Sequence, residues 1–151
     1  MSEELSLSLE DTAQLRPVPR RTPGPVRLHA FFERACDETP DAVALECGPD
    51  RLSYRQLDEH ANRLAHTLIR RGIGPHRRVG LLIPRSTPMY VALLAVLKTG
   101  AAFVPIDPAA PADRVAYVAA DAALDLLLVA PELASAAAEV RCPVLRPGEL
   151  A

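Results

Sequence analysis

The 151-residue sequence has no tryptophan and a single lysine, Lys98. Aromatic residues make up only 4% of it, so its core must be built from aliphatic side chains and alanine. The scarcity of lysine excludes a phosphate loop of the form GxxxxGK followed by Ser or Thr, because Lys98 follows Leu97 rather than glycine. An excess of one charge is also missing. The formal net charge is -2, which implies neither a nucleic-acid partner nor an anionic membrane surface. Cys36, Cys47 and Cys142 are few, far apart and without CxxC spacing, as expected of reduced thiols in a cytoplasmic protein. No apolar run is long enough to span a membrane. The opening MSEELSLSLEDTAQ is acidic and lacks the apolar stretch of a signal peptide.

Against these absences stands a hydrophobic fraction of 49%, enough for one domain with a real core. The surplus of Arg, Ala and Pro reads as coding bias rather than function. Residues 1–27 form a separate zone. RPVPRRTPGPVR, from Arg16 to Arg27, has no helical or strand period and reads as an extended Pro/Arg-rich linker. A globular pattern covers residues 28–151.

That pattern alternates strands and helices. LHAFFERACDETP sets Leu28, Phe31, Phe32 and Ala35 on one helical face, ended by Pro40. Ala42–Cys47 reads as a strand and GPD as a turn into a short return strand, giving an antiparallel hairpin at 42–53. Ser53 and Gln56 then make a capping box, with Leu52 and Leu57 flanking it as a staple. Leu57, Ala61, Leu64, Ala65 and Leu68 follow at helical spacing. Arg70 and Arg71 suit the end of the helix dipole, and Gly72 is its stop.

Val79–Ile83 is a continuous apolar run, the mark of a strand buried on both faces of a parallel sheet. Thr87 and Pro88 are expected to cap a helix over Met89–Leu97 that is apolar almost all round and deeply buried, with Gly100 ending it. Lys98 falls in its last turn, where a cation suits the dipole. AAFVPI is the next strand. Pro105 and Pro108 stiffen its exit, and Asp107 is placed to bond nearby backbone amides. Pro111 opens a helix with Val115, Val118, Ala119 and Ala122 on one face. Leu124–Val129 is a strand, PELASAAAEV a helix, and CPVLR a final short strand. The order β-α-β-α-β-α-β from Val79 onward predicts an α/β fold: a three-layer, partial parallel sheet flanked by helices.

No complete catalytic constellation emerges. Gly72-Ile73-Gly74 begins like a dinucleotide fingerprint, but Arg77 stands where its third glycine belongs, and the stretch follows a helix instead of a strand. His29, His60, His66 and His76 have no metal-ligand spacing. Ser86 has no nucleophile elbow around it and reads as a helix cap. Asp58 and Glu59 are adjacent on a helix, so they face different ways and form no acid/base pair.

Two stretches go beyond fold class. LSYRQLDEHANRLAHTL (Leu52–Leu68) resembles the first core motif of the adenylation domains of nonribosomal peptide synthetases. LKTGAAFVPIDPAAPADRVAYV (Leu97–Val118) is similar to the second, and the sequence between them is similar as well. EDTAQ with LHAFFERACDETPDAVAL resembles the approach to such a domain from a preceding condensation domain. The resemblance covers roughly residues 10–130, and the order and spacing of the motifs make it specific. It implies the N-terminal lobe of an adenylate-forming enzyme, in which an amino acid attacks ATP to give an aminoacyl adenylate, with magnesium present, before transfer to a carrier-protein phosphopantetheine.

In the family, the Ser/Thr/Gly-rich phosphate loop, the substrate-amine aspartate, the nucleotide contacts and the lysine of the C-terminal lobe lie further along. The resemblance therefore implies a segment truncated before them. Lys98 matches neither family lysine. No catalytic, cofactor-binding or metal-ligating residue is assigned. The fragment is expected to be inactive alone and to need no cofactor of its own. Its expected partners are the remainder of the adenylation domain and other synthetase domains, condensation and carrier. A non-catalytic module that complements or binds another synthetase chain is the alternative. An independent nucleotide-binding α/β protein is a third reading that rests on fold analogy alone.

Overall fold

The structure is a computed structural model that describes residues 28–146. The linker predicted at 1–27 lies outside them. The described chain begins with α1 (Leu28–Glu38), followed by the hairpin β1 (Val43–Cys47) and β2 (Asp50–Ser53), then α2 (Tyr54–Arg70). From there β3 (Arg78–Leu82), α3 (Thr87–Thr99), β4 (Ala102–Pro105), α4 (Ala112–Asp121) and β5 (Leu126–Val129) alternate. A 3-10 helix (Pro131–Ala137) and the two-residue strand β6 (Val144–Leu145) follow.

β3, β4, β5 and β6 form a parallel sheet in the order β4-β3-β5-β6, separate from the antiparallel β1-β2 hairpin. The alternation of strand side chains explains the continuous apolar runs. Val79, Leu81, Leu126 and Leu128 face α2 and α3 with Leu64, Leu68, Ala92 and Val96. Leu82, Leu127 and Val129 face the other way, toward Val115 and Ala119 of α4 and Ala137. Both faces are covered, which is the condition for a parallel sheet. Gly80 sits on the α4 side of β3, where a Cβ would come within 2.5 Å of Leu124 Cδ1 and 2.7 Å of Leu127 Cδ1.

The α2 start is as predicted. Ser53 is the N-cap, its Oγ accepting from the Gln56 backbone N–H while the Gln56 side chain accepts from Ser53 N. Its five predicted core residues are all buried. The stop also holds, with Gly72 at φ +80.

Several expectations change. The predicted apolar face of α1 splits. Phe32 packs toward Tyr54, at 5.7 Å between ring centroids, but Leu28 is 65% and Phe31 59% exposed. No residue of α1 is buried. The helix α3 begins at Thr87, making Ser86 its N-cap, yet the Ser86 hydroxyl donates to Pro84 O instead of capping. The predicted deep burial of α3 applies to one side only. Ala92, Ala95, Val96 and Thr99 are buried, while Tyr90 is exposed and Leu93, Leu94 and Leu97 are half-buried. The helix expected in PELASAAAEV is present over Pro131–Ala137, in 3-10 form.

Candidate functional site

Two places gather polar side chains against the core. The first is Lys98. It leaves the last turn of α3 and lies between α1 and α2. Its Nζ is 3.1 Å from Glu33 Oε1 and 2.9 Å from Asp58 Oδ1, and only 10% of its side chain is exposed. The buried Asp58 Oδ1 meets no donor in hydrogen-bonding alignment, so that contact is ion-pair attraction more than a directed bond. Asp58 Oδ2 accepts from Asn62 Nδ2 at 2.8 Å. Burial works against the Lys98 charge, but the contacts with Asp58 and Glu33 outweigh it and hold the amine above its ordinary range. Cys36 lies beside this cluster, its Sγ donating to Tyr54 O at 3.7 Å. Burial, and then the Asp58 charge, push its thiol up. A cation so committed serves as a tie between three helices.

The sequence placed Lys98 at the helix dipole but missed this cluster. Glu33 lies 65 positions away, a pairing that no local spacing reveals. The available signal was a lone lysine at the end of an otherwise apolar helix.

The second place is a groove of about 410 Å³ at the carboxyl ends of β3 and β4. Leu81, Ile83, Met89 and Leu93 form apolar walls, with Arg85, Tyr90 and Asp107 among its polar lining. Asp107 Oδ1 accepts from Ala109 N at 2.9 Å, the backbone bond predicted for it. Ligands of open α/β sheets bind outside the carboxyl ends of the strands, where the strand order reverses. In the order β4-β3-β5-β6 that reversal falls between β3 and β5, one strand over from the groove.

The opposite end of the sheet is closed by Asp125. Its carboxylate accepts from Arg78 N at 2.8 Å and from Arg77 Nη1 at 2.7 Å. Those two hydrogen bonds, the backbone one foremost, hold Asp125 below the usual carboxylate range. Arg78 Nη1 donates to Ala122 O.

The four histidines are not brought together. His60 Nδ1 lies 3.0 Å from Arg63 Nη2, and His29 lines a different, smaller groove with Pro75 and Leu97. Among the described residues no group of three or more His, Cys, Asp or Glu could hold a metal ion. No helix among them is long and apolar enough to cross a membrane.

A sheet of this order, preceded by a capped helix and a hairpin, defines a class. Residues 32–148 match the model of the AMP-binding enzyme family, and the chain belongs to that family. Its relatives place it with the adenylation domains of nonribosomal peptide synthetases, in their N-terminal part. The dimodular nonribosomal peptide synthase of Bacillus subtilis is 46% identical over 110 residues, which are 73% of this chain and 5% of that protein. Tyrocidine synthase 3 of Brevibacillus parabrevis is 46% identical over 101 residues, 67% of this chain and 2% of that protein. The synthetase FmoA3 in its α-methyl-L-serine-AMP-bound form superposes with a TM-score of 0.79 and 32% identity, over 86% of this chain and 15% of that one. The N-terminal subdomain of Klebsiella oxytoca NpsA, in complex with 3-hydroxybenzoyl-AMSN, gives 0.75 and 26%, over 82% and 31%. The chain thus spans less than a third of the length of each.

Proposed function

We propose that this chain is a structural part of an amino-acid-activating enzyme and carries none of its catalytic groups. The whole enzyme would activate an amino acid with ATP to an aminoacyl adenylate and load it onto a carrier protein. On this reading ATP, magnesium and the carrier's phosphopantetheine are handled by residues outside this segment. One observation carries the reading: the sole lysine of the sequence, the one side chain that could have served as a catalytic lysine, is tied between Glu33 and Asp58 in a seam of three helices. A group held by two carboxylates at 10% exposure is not free to meet a phosphate.

The test is amino-acid-dependent ATP–pyrophosphate exchange by the purified chain. No exchange above background is expected with any amino acid, and measurable exchange would overturn the reading. A second reading, that the chain is a non-catalytic module completing another synthetase chain, draws on the half-exposed apolar side of α3 and on the side of β4 that pairs with no strand among the described residues. Exchange activity that returns when the chain is mixed with the separately produced remainder of an adenylation domain would favour it.

A further inference from the structure

α1 is attached differently from every other described helix. None of its residues is buried, and it packs mainly against α2 and α3. At 11 residues it is shorter than the length at which an isolated helix holds in water. Among the described residues, three side-chain ties bind it to the body: the Glu33–Lys98 ion pair, the Phe32–Tyr54 ring contact, and the weak Cys36–Tyr54 sulfur contact. The charged partner of the first tie does not depend on α1. Lys98 remains paired with Asp58 when Glu33 leaves, so release of α1 abandons no unpaired buried cation. The sheet and its two apolar clusters contain no residue of α1.

We infer that α1 is a latch: it undocks and melts as a local unit while the α2–α3–sheet body stays folded, and the Glu33–Lys98 tie sets how often it does so. Opening also bares Cys36 and the Lys98–Asp58 pair. Elements held by few buried contacts open at free energies far below that of global unfolding, and α1 alone among the described helices has no buried residue.

The experiment uses the full 151-residue chain and reads amide hydrogen exchange residue by residue. Alkylation of Cys36 is followed in parallel in a background carrying Cys47→Ser and Cys142→Ser. The amides of α1 are expected to exchange faster than those of β3 and β5, with Cys36 alkylated in step with them. Glu33→Gln cuts the tie and keeps the Lys98–Asp58 pair. It should raise α1 exchange and Cys36 alkylation about fivefold, leaving β3 and β5 unchanged. Because Lys98→Met alone strands Asp58 and risks misfolding, the double change Lys98→Met with Asp58→Leu serves as the second variant. It should loosen α1 at least as much with the sheet amides still protected. Exchange of α1 at the same rate as β3 and β5, or no response of α1 to Glu33→Gln, would overturn the proposal.

Discussion

Single residues of this chain matter most where the parallel sheet leaves no room. Gly80 has no side chain because Leu124 and Leu127 occupy the space a Cβ would need. Gly80→Ala is expected to destabilise the fold by about 1–3 kcal/mol, read as a lower denaturant midpoint at unchanged slope. At the sheet's other end Asp125 titrates below its ordinary 3.8, so the folded state binds fewer protons than the unfolded one in that range. Its contribution is therefore present above that pH and lost as pH falls through the lowered folded value. Asp125→Asn should flatten the acid limb of a pH–stability profile, while the native chain loses stability below about pH 4. Lys98 runs the opposite way. Its folded value is raised above 10.5, so its contribution is complete at neutral pH and lost only in strong alkali, as pH rises through that value.

At the scale of elements, α2 was the most legible part of the sequence, because everything that defines it is local. The N-cap, the Gln three residues on, the apolar face and the glycine stop all fall within about twenty positions. Ser53→Ala removes one arm of that box and should cost about 1 kcal/mol, measurable by thermal or denaturant melting. Strands β3 and β5 were legible for the same reason: a continuous apolar run in a short segment implies burial on both faces. The misread elements are those whose state is set from outside. Phe31 shares the apolar composition of Phe32, but only Phe32 finds a ring to pack on. The helix expected in alanine-rich PELASAAAEV does form, over Pro131–Ala137, with only its tightening to 3-10 geometry between β5 and β6 set from outside. The Glu33–Lys98–Asp58 cluster was invisible for a related reason: its members come from three helices whose mutual placement no periodicity encodes.

For the molecule as a whole, the family and the α/β class were readable because two ordered motifs flank an alternating pattern, and residues 32–148 match the AMP-binding enzyme family. The described sheet ends at β4 on one side, and the sequence protects that edge. Ile106 N donates inward to Leu81 O, so the position before it faces outward, and there Pro105 has no N–H to offer. Pro105→Val would restore an outward donor without touching the ladder. Self-association of that variant, seen by light scattering at concentrations where the native chain does not self-associate, is the expected outcome.

The solitary lysine has one more consequence. A protease that cuts only after lysine has one possible site in all 151 residues, the Lys98–Thr99 bond. Thr99 is 7% exposed, and its hydroxyl donates to Val96 O and accepts from Ala101 N. The chain therefore carries a single, internally placed fuse. It should stay uncut while the end of α3 keeps its shape, and when that end gives way it should break into two defined pieces, the shorter beginning at Thr99.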